Sequence, residues 1–185
     1  MLIKKLFALA ILILPVQLML AQDTYVAGGT SNIALYSDAP IEDISAKATS
    51  ISGAVNIATK AVYFKVKITS FHFANPKMEE HFNENYMESA KFPDATFKGN
   101  ITDTVDLKKD GQYNVNITGT LTVHGVEKVR TIPGTITVKD GKIWMYSKFQ
   151  VACADHNITI PQAVTNNIAS SIDVTAGFEM SPYVK

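Results

Sequence analysis

The side chains with types suited to chemistry are four histidines, His72, His81, His124 and His156, a single cysteine, Cys153, and the acidic set Asp38, Glu42, Asp43, Glu79, Glu80, Glu84 and Glu88. A zinc site wants two or more such ligands at short spacing on one element, such as H-x-x-x-H on a helix. The closest two histidines, His72 and His81, are nine positions apart and straddle a change from strand to helix pattern. No metal is therefore expected. Paired carboxylates do acid–base work only when a cleft drives their proton affinities apart, and Glu80, Glu84 and Glu88, four apart, read instead as one solvated helix face. No G-x-S-x-G elbow or phosphate-binding glycine run occurs. Cys153 continues the apolar face of Phe149 and Val151, so it reads as a buried filler rather than a nucleophile. His124 reads as a turn residue. His81, on the helix, and His156 remain as polar candidates for the mouth of whatever the strands enclose.

Those elements belong to an exported chain. Lys4 and Lys5 precede an apolar run from Leu6 to Leu20, broken only by Pro15 and Gln17 and followed by Ala21. A charged start, a short apolar stretch and a small residue form the layout of a secretory signal peptide, here residues 1–21. The run is shorter than the roughly 20 residues that span a bilayer. Residues 22–185, 164 in all, suit one domain. They carry 15 basic and 17 acidic side chains, a balance that points away from nucleic acid. The expected location is the periplasm or the exterior of a bacterium. One cysteine excludes an internal disulfide.

Alternation dominates the rest. Tyr113, Val115, Ile117, Gly119, Leu121 and Val123 share one face of a strand, opposite Asn114, Asn116, Thr118, Thr120, Thr122 and His124. Val62, Phe64, Val66 and Ile68 form a second such face, Ile143, Met145, Phe149 and Val151 a third, and Ile172, Val174, Ala176, Phe178 and Met180 a fourth. Weaker strands are expected over 31–37, 46–57, 95–103 and 132–138. Asp110-Gly111 and Asp140-Gly141 mark reversals, His124-Gly125-Val126-Glu127-Lys128 is a third turn candidate, and Pro133-Gly134 reads as an edge position or bulge. Only 76–90 changes period. Asn75 can cap, Pro76 suits a first helical position, and Met78, Phe82 and Tyr86 make a stripe, predicting a short helix.

About eight strands with one apolar face each pair antiparallel, and closure into a barrel removes their exposed edges. The fold expected is all-β, an extended eight-stranded antiparallel barrel with one short helical segment. Its inward residues, Phe64, Val66, Phe71, Phe82, Tyr86, Phe97, Val115, Ile117, Leu121, Met145, Phe149, Val174 and Phe178, either fill a core or line a lumen that takes an apolar molecule.

Four stretches, F-H-F at Phe71–Phe73, M-E-E-H-F at Met78–Phe82, K-F-P-D-A-T-F at Lys91–Phe97 and G-T-L-T-V-H-G-V-E-K at Gly119–Lys128, resemble the YceI-like family. That resemblance implies a lipocalin-like barrel of the periplasm or exterior, non-enzymatic, with no cofactor. It implies as ligand a polyisoprenoid, a quinone or a fatty-acid-like lipid, with transient membrane contact where such a molecule is exchanged. H-F-N-E-N at His81–Asn85 and A-C-A-D-H-N at Ala152–Asn157 depart from the commoner family forms and leave the head group open. Two other readings remain: a filled barrel that serves as a structural or stress-linked exported protein, and an enzyme with a polar site at the barrel mouth.

Overall fold

The computed structural model describes residues 23–184; the proposed signal peptide lies outside the described residues. Eleven strands form one antiparallel sheet: β1 (Thr24–Ala27), β2 (Asn32–Ser37), β3 (Ile44–Ala48), β4 (Ile51–Asn56), β5 (Ala61–Lys67), β6 (Phe71–Phe73), β7 (Asp94–Ile101), β8 (Gly111–Val123), β9 (Val126–Lys139), β10 (Lys142–Ala152) and β11 (Ser171–Pro182). The pairing β1–β4–β5–β7–β8–β9–β10–β11 returns to β1, closing an eight-stranded barrel, while β2, β3 and β6 continue from the far end of β11. The expected eight-stranded barrel is thus present, with three extra strands. These arise because β1–β2, β3–β4 and β5–β6 are each one run of chain bent in the middle. The β5–β6 bend is the 3-10 turn Ile68–Ser70.

Two glycines make one corner. Gly99 and Gly119 face each other across β7 and β8, and a Cβ at either would collide with the partner strand's backbone. The bend so permitted is the usual role of glycine inside a barrel strand. Two tight hairpins follow the expected turn residues. His124-Gly125 and Asp140-Gly141 all have positive φ, between 51° and 73°, as two-residue reversals need. Asp110-Gly111 is different, because β7 and β8 are joined by the longer loop 102–110 rather than by a tight turn.

The helix is shorter than its stripe predicts. Asn75 caps α1 (Pro76–His81) through its side chain, which accepts from Lys77 N at 2.9 Å. The chain then widens into a π-helical turn over Phe82–Tyr86, closed by Met87 N donating to Phe82 O at 2.9 Å. One extra residue in the turn brings both Phe82 and Met87 to the barrel side, which a 3.6-residue period does not do. Strand β9 is longer than expected, running from Val126 without a break through Pro133.

Below the middle of the barrel the interior is solid. Val55, Val62, Ile101, Leu107, Val138, Ile143 and Met180 are all 5% exposed or less and pack together. Above them Phe64 of β5 stacks on Phe178 of β11, ring centroids 4.1 Å apart and planes at 24°. That pair is a floor.

Candidate functional site

The space over the Phe64–Phe178 floor is a cavity of about 530 Å³, within the usual range for small-molecule sites. Strand alternation builds its wall, since each inward position that packs solidly lower down becomes lining higher up. Phe64 and Val66 come from β5, Phe71 from β6, Phe97 from β7, and Val115, Ile117 and Leu121 from β8. Met145 and Phe149 come from β10, Val174 and Phe178 from β11, and Phe82 and Tyr86 from the π-helical turn. All thirteen inward residues read from the sequence therefore line one space. Phe82 packs against Phe71 and Phe73, with centroids 5.7 and 5.0 Å away, so the helical segment is held to the strand-edge aromatics as a partial cap.

The lining is mainly apolar, with Lys65, Thr96, Thr135 and Ser147 among its few polar side chains. His81 is exposed and lines the mouth with the half-buried Glu42 of the 38–43 loop. Burial pushes the Tyr86 phenol above its ordinary pKa, so it stays a neutral hydroxyl. Cys153 also lines the cavity; burial raises its thiol, only partly offset by a backbone hydrogen bond. It is an apolar wall atom at neutral pH rather than a thiolate. Among the described residues no group of three or more metal-ligating side chains converges.

His156 is not a mouth residue. Its side chain is 0% exposed, and Nδ1 lies 3.1 Å from the carbonyl of Val126. His124 Nδ1 in turn meets the His156 carbonyl at 3.1 Å, and its Nε2 meets Glu88 Oε2 at 2.7 Å. The imidazoles tie the β8–β9 hairpin tip to the 3-10 turn Cys153–His156 and to Glu88, two residues past the π-helical turn. His124 thus bonds to backbone, as its turn position suggests, but to a neighbouring loop rather than to its own hairpin. The sequence offers no period-2 or period-3.6 pattern around His156 that would have placed it inside.

Several lining residues escaped the sequence reading. Ile33 and Leu35 of β2 and Ala46 of β3 sit on short strands of weak pattern, and Ile158, Ile160, Val164 and Ile168 come from the long 157–170 segment that closes the rim. Their signal was the apolar spacing within an otherwise polar loop.

A barrel solid below, hollow and apolar above, and capped by a short helical segment defines a lipocalin-like container. The YceI-like domain matches residues 27–180, and the chain belongs to that family. No curated protein matches the sequence. Among solved structures it is similar to a polyisoprenoid-binding domain from Saccharophagus degradans implicated in plant cell wall breakdown. The TM-score is 0.75 at 14% identity, covering 88% of this chain and 99% of that one. It is also similar to BcnA of Burkholderia cenocepacia, with a TM-score of 0.70 at 15% identity over 82% and 96% of the two chains. The YceI protein of Campylobacter jejuni follows, with a TM-score of 0.61 at 21% identity over 76% and 85%.

Proposed function

We propose that this protein binds the tail of a long apolar or amphiphilic molecule in its lumen, a polyisoprenoid, a quinone or a fatty-acid-like lipid, and carries it outside the cytoplasm without chemical change. The observation that carries the reading is the floored apolar cavity, whose deep wall holds aliphatic and aromatic side chains and whose acidic and imidazole groups sit only at the mouth. The relative from Saccharophagus degradans, described as polyisoprenoid-binding, supports the tail class. The apolar run Leu6–Leu20 behind Lys4 and Lys5 supports export to the periplasm or beyond.

Energetics favour carriage over permanent capture. At roughly 0.8 kcal/mol per buried CH₂, an isoprene unit of about five carbons gains up to about 3–4 kcal/mol on leaving water. A bilayer gives nearly the same, so transfer between lumen and membrane is close to balanced for the tail. A labelled polyprenol equilibrated between the protein and neutral vesicles should divide between them in proportion to protein concentration. Complete retention in the vesicles at high protein concentration would rule out carriage.

A further inference from the structure

The barrel wall has a split in its upper half. The β9–β10 ladder runs from Lys139↔Lys142 to Thr135↔Tyr146 and stops there. At its last rungs the strands are pressed together, since a Cβ on Gly134 would lie 2.9 Å from the Tyr146 carbonyl oxygen. One residue further Pro133 has no N–H to donate, and only the Ser147 hydroxyl reaches across, to the Pro133 carbonyl at 2.6 Å. The next link is the His156 contact to Val126, at the far end of β9. Between these links β9 and β10 diverge, and the cavity lining borders the divergence on both sides, with Ile132 and Gly134 from β9 and Ser147, Phe149 and Val151 from β10.

On the inner face beside that split the side-chain type changes. Reading across β7, β8 and β9, the rows are Ile101–Ile117–Ile132, then Gly99–Gly119–Arg130, then Phe97–Leu121–Lys128. Strand alternation therefore puts Arg130 and Lys128 on the same face as the buried Ile132, Ile136 and Val138. Arg130 is half-buried and Lys128 exposed, both just outside the cavity lining, and neither side chain has a carboxylate partner or hydrogen bond among the described residues. Gly99 and Gly119 leave the guanidinium no side-chain neighbour in its row. Elsewhere the charges are mixed, with Glu42 and Lys65 both in the cavity lining and Lys77, Glu80 and Glu84 exposed on the helical segment.

We infer that the β9–β10 split is a lateral portal with an anion subsite: Arg130 and Lys128 hold the phosphate or carboxylate head group of a bound amphiphile whose tail lies in the lumen. A guanidinium presents a fork to two oxygens of such a group, and the lysine adds a second charge. The inference rests on the tail-binding reading above and assigns the head-group class to it.

The test compares polyprenol, polyprenyl phosphate of the same tail length and inorganic phosphate, on the full exported chain, for wild type, Arg130→Gln, Lys128→Gln and the double variant. The expected result is tighter binding of the phosphate than of the alcohol by about tenfold, lost in the double variant and weakened by salt, as charge-assisted contacts are. Polyprenol affinity should stay unchanged throughout. Equal affinity of wild type for alcohol and phosphate would overturn the subsite while leaving tail binding intact. Failure of both lipids to bind would instead sink the tail-binding reading, and the subsite with it. Displacement of the polyprenyl phosphate by inorganic phosphate at similar concentration would show a free-phosphate site and overturn the head-group assignment. Inward charges can also serve only to keep an unpaired strand edge from pairing with another chain. Self-association of the double variant beside unchanged phosphate-over-alcohol preference would show that role and refute ours.

Discussion

Phe64 of β5 and Phe178 of β11, 114 residues apart in sequence, stack at 4.1 Å and separate a solid lower core from a hollow upper barrel. The choice between a filled barrel and an empty one does not apply to the whole interior, because the same alternating faces do both jobs at different depths. Phe178→Ala removes one half of that floor. It should destabilise the fold by about 3–5 kcal/mol, from lost burial and the void left behind, which denaturant unfolding would measure. If the variant remains folded, it should accept longer tails than wild type.

Ile117 and Val115 line the cavity from β8. A tryptophan at either must project into ligand space, and in the hollow region the indole has room. Ile117→Trp and Val115→Trp should therefore cost less than the roughly 1–3 kcal/mol that overpacking a filled core costs. Affinity across a series of tail lengths should level off earlier in both. Unchanged long-tail affinity in both variants would remove β8 from the lumen wall.

The faces of β5, β8, β10 and β11 were legible because a period of two survives wherever one side of a strand is wet and the other dry, as in Val115, Ile117 and Leu121. What was not legible depended on partners distant in sequence. Lys128 ends the His124–Lys128 turn candidate and Arg130 carries no pattern of its own; only the register Leu121↔Lys128 and Gly119↔Arg130 puts them on the face of Ile132. His156 looked like a loop polar group until the Val126 carbonyl was seen opposite its ring. The π-helical turn after His81 likewise follows from docking Phe82 against Phe71 and Phe73, not from local propensity.

Cys153 should be slow to react with bulky thiol reagents in the folded protein at neutral pH, because burial keeps it protonated and covered. Bound lipid should slow it further, since the residue lines the cavity. Cys153→Ser should cost about 1–2 kcal/mol by placing a hydroxyl among apolar neighbours. Rapid labelling of the native thiol would contradict the packing.

On the outer surface the Glu179 carboxyl is held below the usual carboxylate range, first by a hydrogen bond from Lys142 Nζ at 2.8 Å and then by one from Thr30. A carboxylate lowered on folding adds stability that is present above its unfolded pKa and lost as pH falls through the lower folded value. In Lys142→Met the Glu179 titration, followed by carbon-detected NMR, should move up toward the ordinary range. No movement would show that Lys142 does not set it.

The central claim is that the upper barrel holds an apolar tail. Native mass spectrometry of the purified protein after incubation with a long polyprenol reads this directly. The account predicts one lipid per chain, retained under gentle conditions, removed by organic extraction and excluded by Ile117→Trp for the longest tails. A spectrum showing only the bare chain at lipid excess, with the fold intact, would contradict it.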